Sequence, residues 1–255
     1  MLHYLEKNPL SVPTKENSAV ALLVSDSKGK RLKAFHSNSN LPLDFLCISG
    51  ANTEKLFSEL KVKLPTIVSK VGKPVIVYWW SGTCDLSCKS GKFIDCNRST
   101  LVVENIVSLY KEAHTFVTQF AGCKIKFIGQ PNYLVSLYND VHGHMKPTDF
   151  LESDEIIESR VNQLNKEIEI LNQKQGVVTL KFNADLRDCR HKRKDYFFEL
   201  LEDGLHPGPL LSQKWLRRIQ LDVIRECYLP DIEDILDIHV DPCELLEFER
   251  KENDN

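Results

Sequence analysis

An α/β protein of three layers, with helices on both faces of a central five-stranded parallel sheet, is predicted by three features of this sequence. Short apolar, β-prone runs alternate with longer segments whose apolar residues recur at helical spacing. Most of the short runs are continuously apolar, as strands buried on both faces are. Hydrophobic residues make up 42% of the 255 positions, enough to fill a full core. Strands that alternate with helices form βαβ units with right-handed crossovers, and such units add up to one open sheet.

The five strands are read at residues 19–24 (AVALLV), 44–49 (DFLCIS), 74–80 (PVIVYWW), 123–129 (CKIKFIG) and 177–182 (VVTLKF). Between and after them, residues 53–71, 100–120, 153–175 and 209–228 carry the helical pattern. Ser99 or Thr100 and Ser153 have the side chains of N-caps, with acidic residues from Glu152 to Glu155 near the start of the third helix. Gly176 is suited to end that helix. In the last one, Leu211, Trp215, Ile219 and Val223 share a face. Residues 1–17 read as an N-terminal extension, 18–228 as the domain and 229–255 as an acidic tail.

Charge separates the tail from the rest. From Asp231 to the end there are ten acidic and two basic residues, a balance of −8, so with a net charge of −3 residues 1–230 carry +5. The tail reads as a fraying, solvated end, with a partner-binding acidic arm as the alternative. No apolar run of 18 residues is present, and the first residues are polar, so neither a secretory signal nor a membrane span is expected. The eight cysteines, at 47, 84, 88, 96, 123, 189, 227 and 243, are scattered and read as reduced thiols of a cytosolic or nuclear protein. Zinc ligation by Cys84, Cys88 and Cys96 is the weaker alternative, since no CxxC accompanies them.

Open parallel sheets bind ligands beyond the carboxyl ends of their strands. Three loops leave such ends early in the chain: Ser25-Asp26-Ser27-Lys28-Gly29, Gly50-Ala51-Asn52 and Ser81-Gly82-Thr83-Cys84-Asp85. The stretch Asp203-Gly204-Leu205-His206-Pro207 follows the fifth predicted strand and falls on the same rim. Taken alone it is a turn. With Ser27 two residues past the first strand, however, it supplies what an activated serine needs, a base in His206 and an orienting carboxylate in Asp203. The GxSxG of the α/β-hydrolases is absent.

At these positions the sequence resembles the SGNH, or GDSL-like, hydrolase family. Ser25-Asp26-Ser27 is similar to the family's GDS with Ser25 in place of Gly, and Gly50 matches the glycine of the second block. Gly82-Thr83-Cys84-Asp85 matches the GxND of the third block, and Asp203 and His206 form the DxxH. Residues 131–139 (PNYLVSLYN) and 161–165 (VNQLN) also resemble family segments, so the likeness runs from about residue 18 to 228. Domains of this kind occur in open reading frames of some animal retrotransposons.

The resemblance implies a serine esterase acting on a small-molecule or lipid-like ester, with Ser27, Asp203 and His206 catalytic and no cofactor. It implies an oxyanion hole from Ser27, Gly50 and the third-block residue, here Cys84 where the family has Asn. That departure keeps a second reading open, a binding module in which the fold persists without turnover.

Simpler roles exist for the same residues. Asp26 and Ser27 can cap a helix, Gly50 can serve a tight turn, and Asp85 can cap whatever follows the third strand. Trp79 and Trp80 read as one core and one site-flanking aromatic. His142 and His144 form an HxH that reads as a surface loop rather than a metal site. The basic run with Arg187, Arg190, Lys192, Arg193 and Lys194 reads equally as a solvated loop or as a patch steering an anionic substrate or nucleic acid.

Overall fold

In the computed structural model, which describes residues 10, 12–36, 41–186 and 196–228, the two central strands carry almost no side chain that reaches water. Five of the six residues of β1 (Val20–Ser25) and all six of β3 (Val75–Trp80) are buried. With β2 (Leu43–Cys47) and β6 (Lys124–Phe127) they form a four-stranded sheet in the order β2-β1-β3-β6, parallel throughout. In register, Ser25 lies between Cys47 and Trp80, so the carboxyl ends of the three strands form one rim.

The chain steps from β1 outward to β2 and then back across β1 to β3. Right-handed crossovers therefore send α1 (Ser27–Phe35) to one face and α2 (Thr53–Val71) and α4 (Val102–Val117) to the other. α7 (Pro209–Tyr228) packs beside α1, while α6 (Leu151–Lys174) packs beside α4. Adjacent tryptophans of β3 report the two faces: Trp79 meets Phe57 and Tyr110 edge-on, and Trp80 meets Trp215 and Phe182. Both indoles are fully buried, Trp79 in the core and Trp80 opposite Ser25 in register. A buried ionic group ties α7 to the sheet, with Lys126 Nζ 2.5 Å from Asp222 Oδ2 and 2.9 Å from Glu226 Oε1.

Residues 177–182 do not form the predicted fifth strand. Lys181 makes a single parallel bridge to Gly129, and Gly129 N donates to Leu180 O. The reason lies in α6, whose side chains already occupy the outer edge of β6. Asn172 Oδ1 accepts from Phe127 N at 3.0 Å, and its Nδ2 donates to Phe127 O at 2.7 Å and to Thr179 Oγ1 at 2.8 Å. One turn pair earlier, Asn165 does the same for both backbone groups of Gln130.

Other departures are local. α3 (Thr83–Leu86) leads into an antiparallel hairpin of β4 (Ser87–Ser90) and β5 (Phe93–Cys96), and α5 (Val135–Val141) precedes the long α6; none of these was expected. α4 starts after Leu101, which takes the cap position, while Ser99 Oγ accepts from Leu101 N and Thr100 stays outside the helix. α6 starts from the short 3-10 turn Pro147–Phe150, so Ser153 lies inside its first turn, where its hydroxyl donates to Asp95 Oδ1. The expected side-chain caps are therefore absent from both helices. Gly176 does follow the end of α6 in a left-handed conformation, φ 67°.

Asn172 is fully buried, and its loss leaves a buried amide and carbonyl of β6 without partners. Asn172→Leu is expected to lower unfolding free energy by about 2–6 kcal/mol, from about one to three for each of the two unsatisfied groups. Urea titration at constant m-value checks this, and a change under about 0.5 kcal/mol would show that the edge is satisfied some other way.

Candidate active site

The first strand ends at Ser25 and the helix α1 begins two residues later, so Ser27 stands at the head of a helix directly above the sheet. Asp26 is the N-cap, its Oδ1 accepting from Lys28 N at 2.9 Å. Ser27 Oγ lies 2.9 Å from His206 Nε2. His206 Nδ1 lies 2.7 Å from Asp203 Oδ2, so a neutral ring holds its proton on Nδ1 and turns the Nε2 lone pair to the serine hydroxyl.

The loop that delivers the histidine is closed on itself. Leu201 and Pro207 form an antiparallel bridge, and Glu202 N donates to His206 O at 2.8 Å. Asp203 Oδ1 accepts from the amides of His206 at 2.7 Å and Leu205 at 3.1 Å, so both carboxylate oxygens are engaged. Gly204 at φ +81° makes this turn, and a Cβ there would lie 2.9 Å from Leu137 Cβ, which excludes any other residue without movement. Arg31 of α1 pairs with Glu202, a second tie between the serine helix and the histidine loop. Burial works against the Asp203 carboxylate, but the hydrogen bonds from the His206 ring and the two amides prevail and hold its pKa at about 2.

On the far side of Ser27, Gly50 adopts φ +70° in the turn after β2. Among the described residues, no acceptor engages the amide of Gly50 or that of Ser27. Asp85 caps α2 from a distance, its carboxylate accepting from Thr53 N at 3.0 Å and Thr53 Oγ1 at 2.8 Å. Burial pushes the Asp85 carboxyl up to about 6 despite these bonds. Cys84 is half-buried and free, and burial, helped by the Asp26 carboxylate, raises its thiol to about 11. It is a neutral thiol at pH 7, a weak donor and not a nucleophile.

Lys28 was not singled out by the sequence. It is 2% exposed, and its ammonium lies 2.6 Å from Asp26 Oδ2, 2.5 Å from Thr83 Oγ1 and 5.2 Å from the centre of the Trp80 ring. The only sequence signal was its place directly after Ser27.

The remaining candidates are not drawn into this cluster. Cys88 is exposed on β4 and Cys96 buried on β5, and among the described residues no three His, Cys, Asp or Glu side chains gather as metal ligands. His142 stacks on Tyr138 and bonds to its carbonyl oxygen, while His144 lies edge-on to Phe93 and Phe150. Arg187, Arg190, Lys192, Arg193 and Lys194 lie outside the described residues, as does the acidic tail. No helix among the described residues is long and apolar enough to cross a membrane.

No family model and no curated protein matches this sequence. Solved structures do. A GDSL-like lipase from Bacteroides thetaiotaomicron superposes with a TM-score of 0.57 at 12% identity, over 88% of this chain and 96% of the other. The lipase/acylhydrolase of Enterococcus faecalis gives 0.52 at 14% identity, over 82% and 97%. A carbohydrate acetylesterase from Sinorhizobium meliloti gives 0.50 at 12% identity, over 82% and 98%. At such identities the likeness speaks for architecture. The four-stranded parallel sheet with helices on both faces, built from a sequence with GDS-, GxND- and DxxH-like blocks in order, has the SGNH/GDSL-like hydrolase fold.

Proposed function

We propose that the chain is a serine esterase that hydrolyses carboxylic esters through an acyl-enzyme on Ser27. The observation that carries this reading is the unbroken line from Ser27 Oγ to His206 Nε2 at 2.9 Å and from His206 Nδ1 to Asp203 Oδ2 at 2.7 Å. His206 takes the hydroxyl proton as Oγ attacks the ester carbonyl, then gives it to the departing alcohol. Asp203 holds the ring in the required tautomer and stabilises the imidazolium. A water activated by the same ring releases the acid. The amides of Ser27 and Gly50, which donate to no described residue, are suited to receive the oxyanion. Ester hydrolysis is also what the names of the three structural neighbours share.

Cys84 favours a second reading, a slow or silent site that binds rather than turns over. A protonated thiol replaces the side-chain amide that such holes commonly use, and losing one donor costs roughly 10²–10³ in turnover, about 2.7–4 kcal/mol. The substrates expected under the first reading are therefore activated short-chain esters with good leaving groups.

Three outcomes test these readings. A fluorophosphonate probe is expected to label Ser27, and His206→Ala to abolish labelling while the protein stays folded by circular dichroism; labelling of another serine would remove Ser27 from the mechanism. Cys84→Asn is expected to raise turnover of p-nitrophenyl acetate tenfold or more, roughly the lower part of the range for one hole donor. Unchanged or lost turnover would mean that the thiol does not weaken the site.

The third outcome concerns acid. Asp203 titrates at about 2 in the folded chain against 3.8 for the free side chain, so its contribution is present above pH 4 and lost as pH falls toward 2. Asp203→Asn should cost about 2 kcal/mol at pH 7 and much less at pH 2.5, read from urea midpoints. An equal cost at both pH values would show that the carboxylate's charge is not what stabilises the loop.

A further inference from the structure

Lys28 has no part in the steps above, and on energetic grounds it is an odd residue to find where it is. A cation in the first turn of a helix faces the positive end of the helix dipole. Burying an ammonium costs several kcal/mol after relaxation, and buried ion pairs are commonly matched or bettered in stability by apolar residues of similar volume. A methionine or leucine would pack against Trp80 as well. The ammonium is therefore not explained by the stability of the core.

What an apolar side chain could not supply is the bridge. Lys28 Nζ joins Asp26 Oδ2, in the turn that carries Ser27, to Thr83 Oγ1, in the turn that carries Cys84, across a sequence separation of 55 residues. The contacts continue from there. Asp85, two residues after Thr83, holds both the amide and the hydroxyl of Thr53, just beyond the Gly50 turn. Two sets of side-chain bonds, joined through the short backbone of the third-strand turn, thus connect the serine turn through Lys28 to Thr83, and Asp85 to Thr53 at the start of α2. Lys28 is the side-chain link between the serine turn and the third-strand turn.

We infer that Lys28 is a positioning residue: its ammonium sets the third-strand turn, and through it the Gly50 turn, at a defined distance from Ser27. This rests on the esterase reading, since the separation of those turns is the width of the pocket that would receive the oxyanion. The demand is sharpened by Cys84. With a weak thiol on one side, the pocket depends on backbone amides, whose aim is set only by where their turns are held. Errors of about 1 Å in such placement cost on the order of 10²-fold in rate.

The test uses the full chain with p-nitrophenyl acetate and the variants Thr83→Val, Thr83→Ser and Lys28→Met. Thr83→Val removes the far end of the bridge and leaves the ion pair with Asp26 intact. It is expected to lower kcat about tenfold or more with KM within about twofold. Thr83→Ser, which keeps the hydroxyl, is expected to restore the rate. Lys28→Met combined with Thr83→Val should be no slower than Lys28→Met alone, because both cut one bridge.

Wild-type kcat in Thr83→Val, or losses that multiply in the double variant, would overturn the proposal. If Lys28→Met does not fold, the Thr83→Val and Thr83→Ser pair decides by itself. If the wild-type protein neither turns over ester nor takes the fluorophosphonate at Ser27, the esterase reading falls, and amide hydrogen exchange decides the bridge instead. Faster exchange at residues 83–86 in Thr83→Val, with β1 unchanged, would support the bridge. Unchanged exchange there would overturn it.

Discussion

A strand covered on both faces has no side chain to spare for chemistry, and this constraint governs the whole molecule. β1 and β3 run through the centre of the sheet with nearly every residue buried. Reactive groups can then stand only where the strands stop. Since the strand order reverses between β1 and β3, the helices that follow them leave to opposite faces, the place where open sheets commonly bind ligands. Ser27 and Lys28 reach that point from the end of β1, Thr83 and Cys84 from the end of β3. The histidine loop completes the cluster from the C-terminal end of the chain.

The elements that could be read from the sequence were those whose pattern owes nothing to neighbours. The helix at residues 53–71 coincides with α2 because it has its own stops, an Asn52 side chain that accepts from Lys55 N and a left-handed Gly72. The strands at 19–24 and 74–80 needed only their apolar runs. The fifth strand failed because β-propensity is decided by the partner. VVTLKF has the composition of a strand, but the edge it would join is taken by Asn165 and Asn172. These residues are seven apart on the face of α6 that also carries Leu164, Ile168 and Leu171, and carboxamides on a buried helical face are a signal that could have been used. The hairpin of β4 and β5 is built from four-residue strands, a polar SCKS and a mixed FIDC, too short to show a period.

In the site, Ser27, Asp203 and His206 could be seen together because each has a local reason to be where it is: a strand end, and a turn whose Gly204 admits no side chain. Lys28 could not. In SKGKRLK it reads as one charge of a solvated basic face, and only the positions of Thr83 and Trp80, fixed by a different βα unit, show that its ammonium points inward.

The carboxamides on β6 have a consequence for the life of the chain before and after folding. An open sheet edge is a template, and a second copy with its own exposed strand can pair with it during synthesis or on partial unfolding. Here the helix that closes the last βα unit brings its own donors and acceptors to that edge, so the backbone groups of Phe127 and Gln130 are spoken for as soon as α6 docks. That edge is thus covered by side chains of α6, with the exposed Lys124 at the start of the strand adding a charge there. Its vulnerable interval is the time between formation of β6 and arrival of α6, whose Asn172 lies 45 residues beyond its partner Phe127.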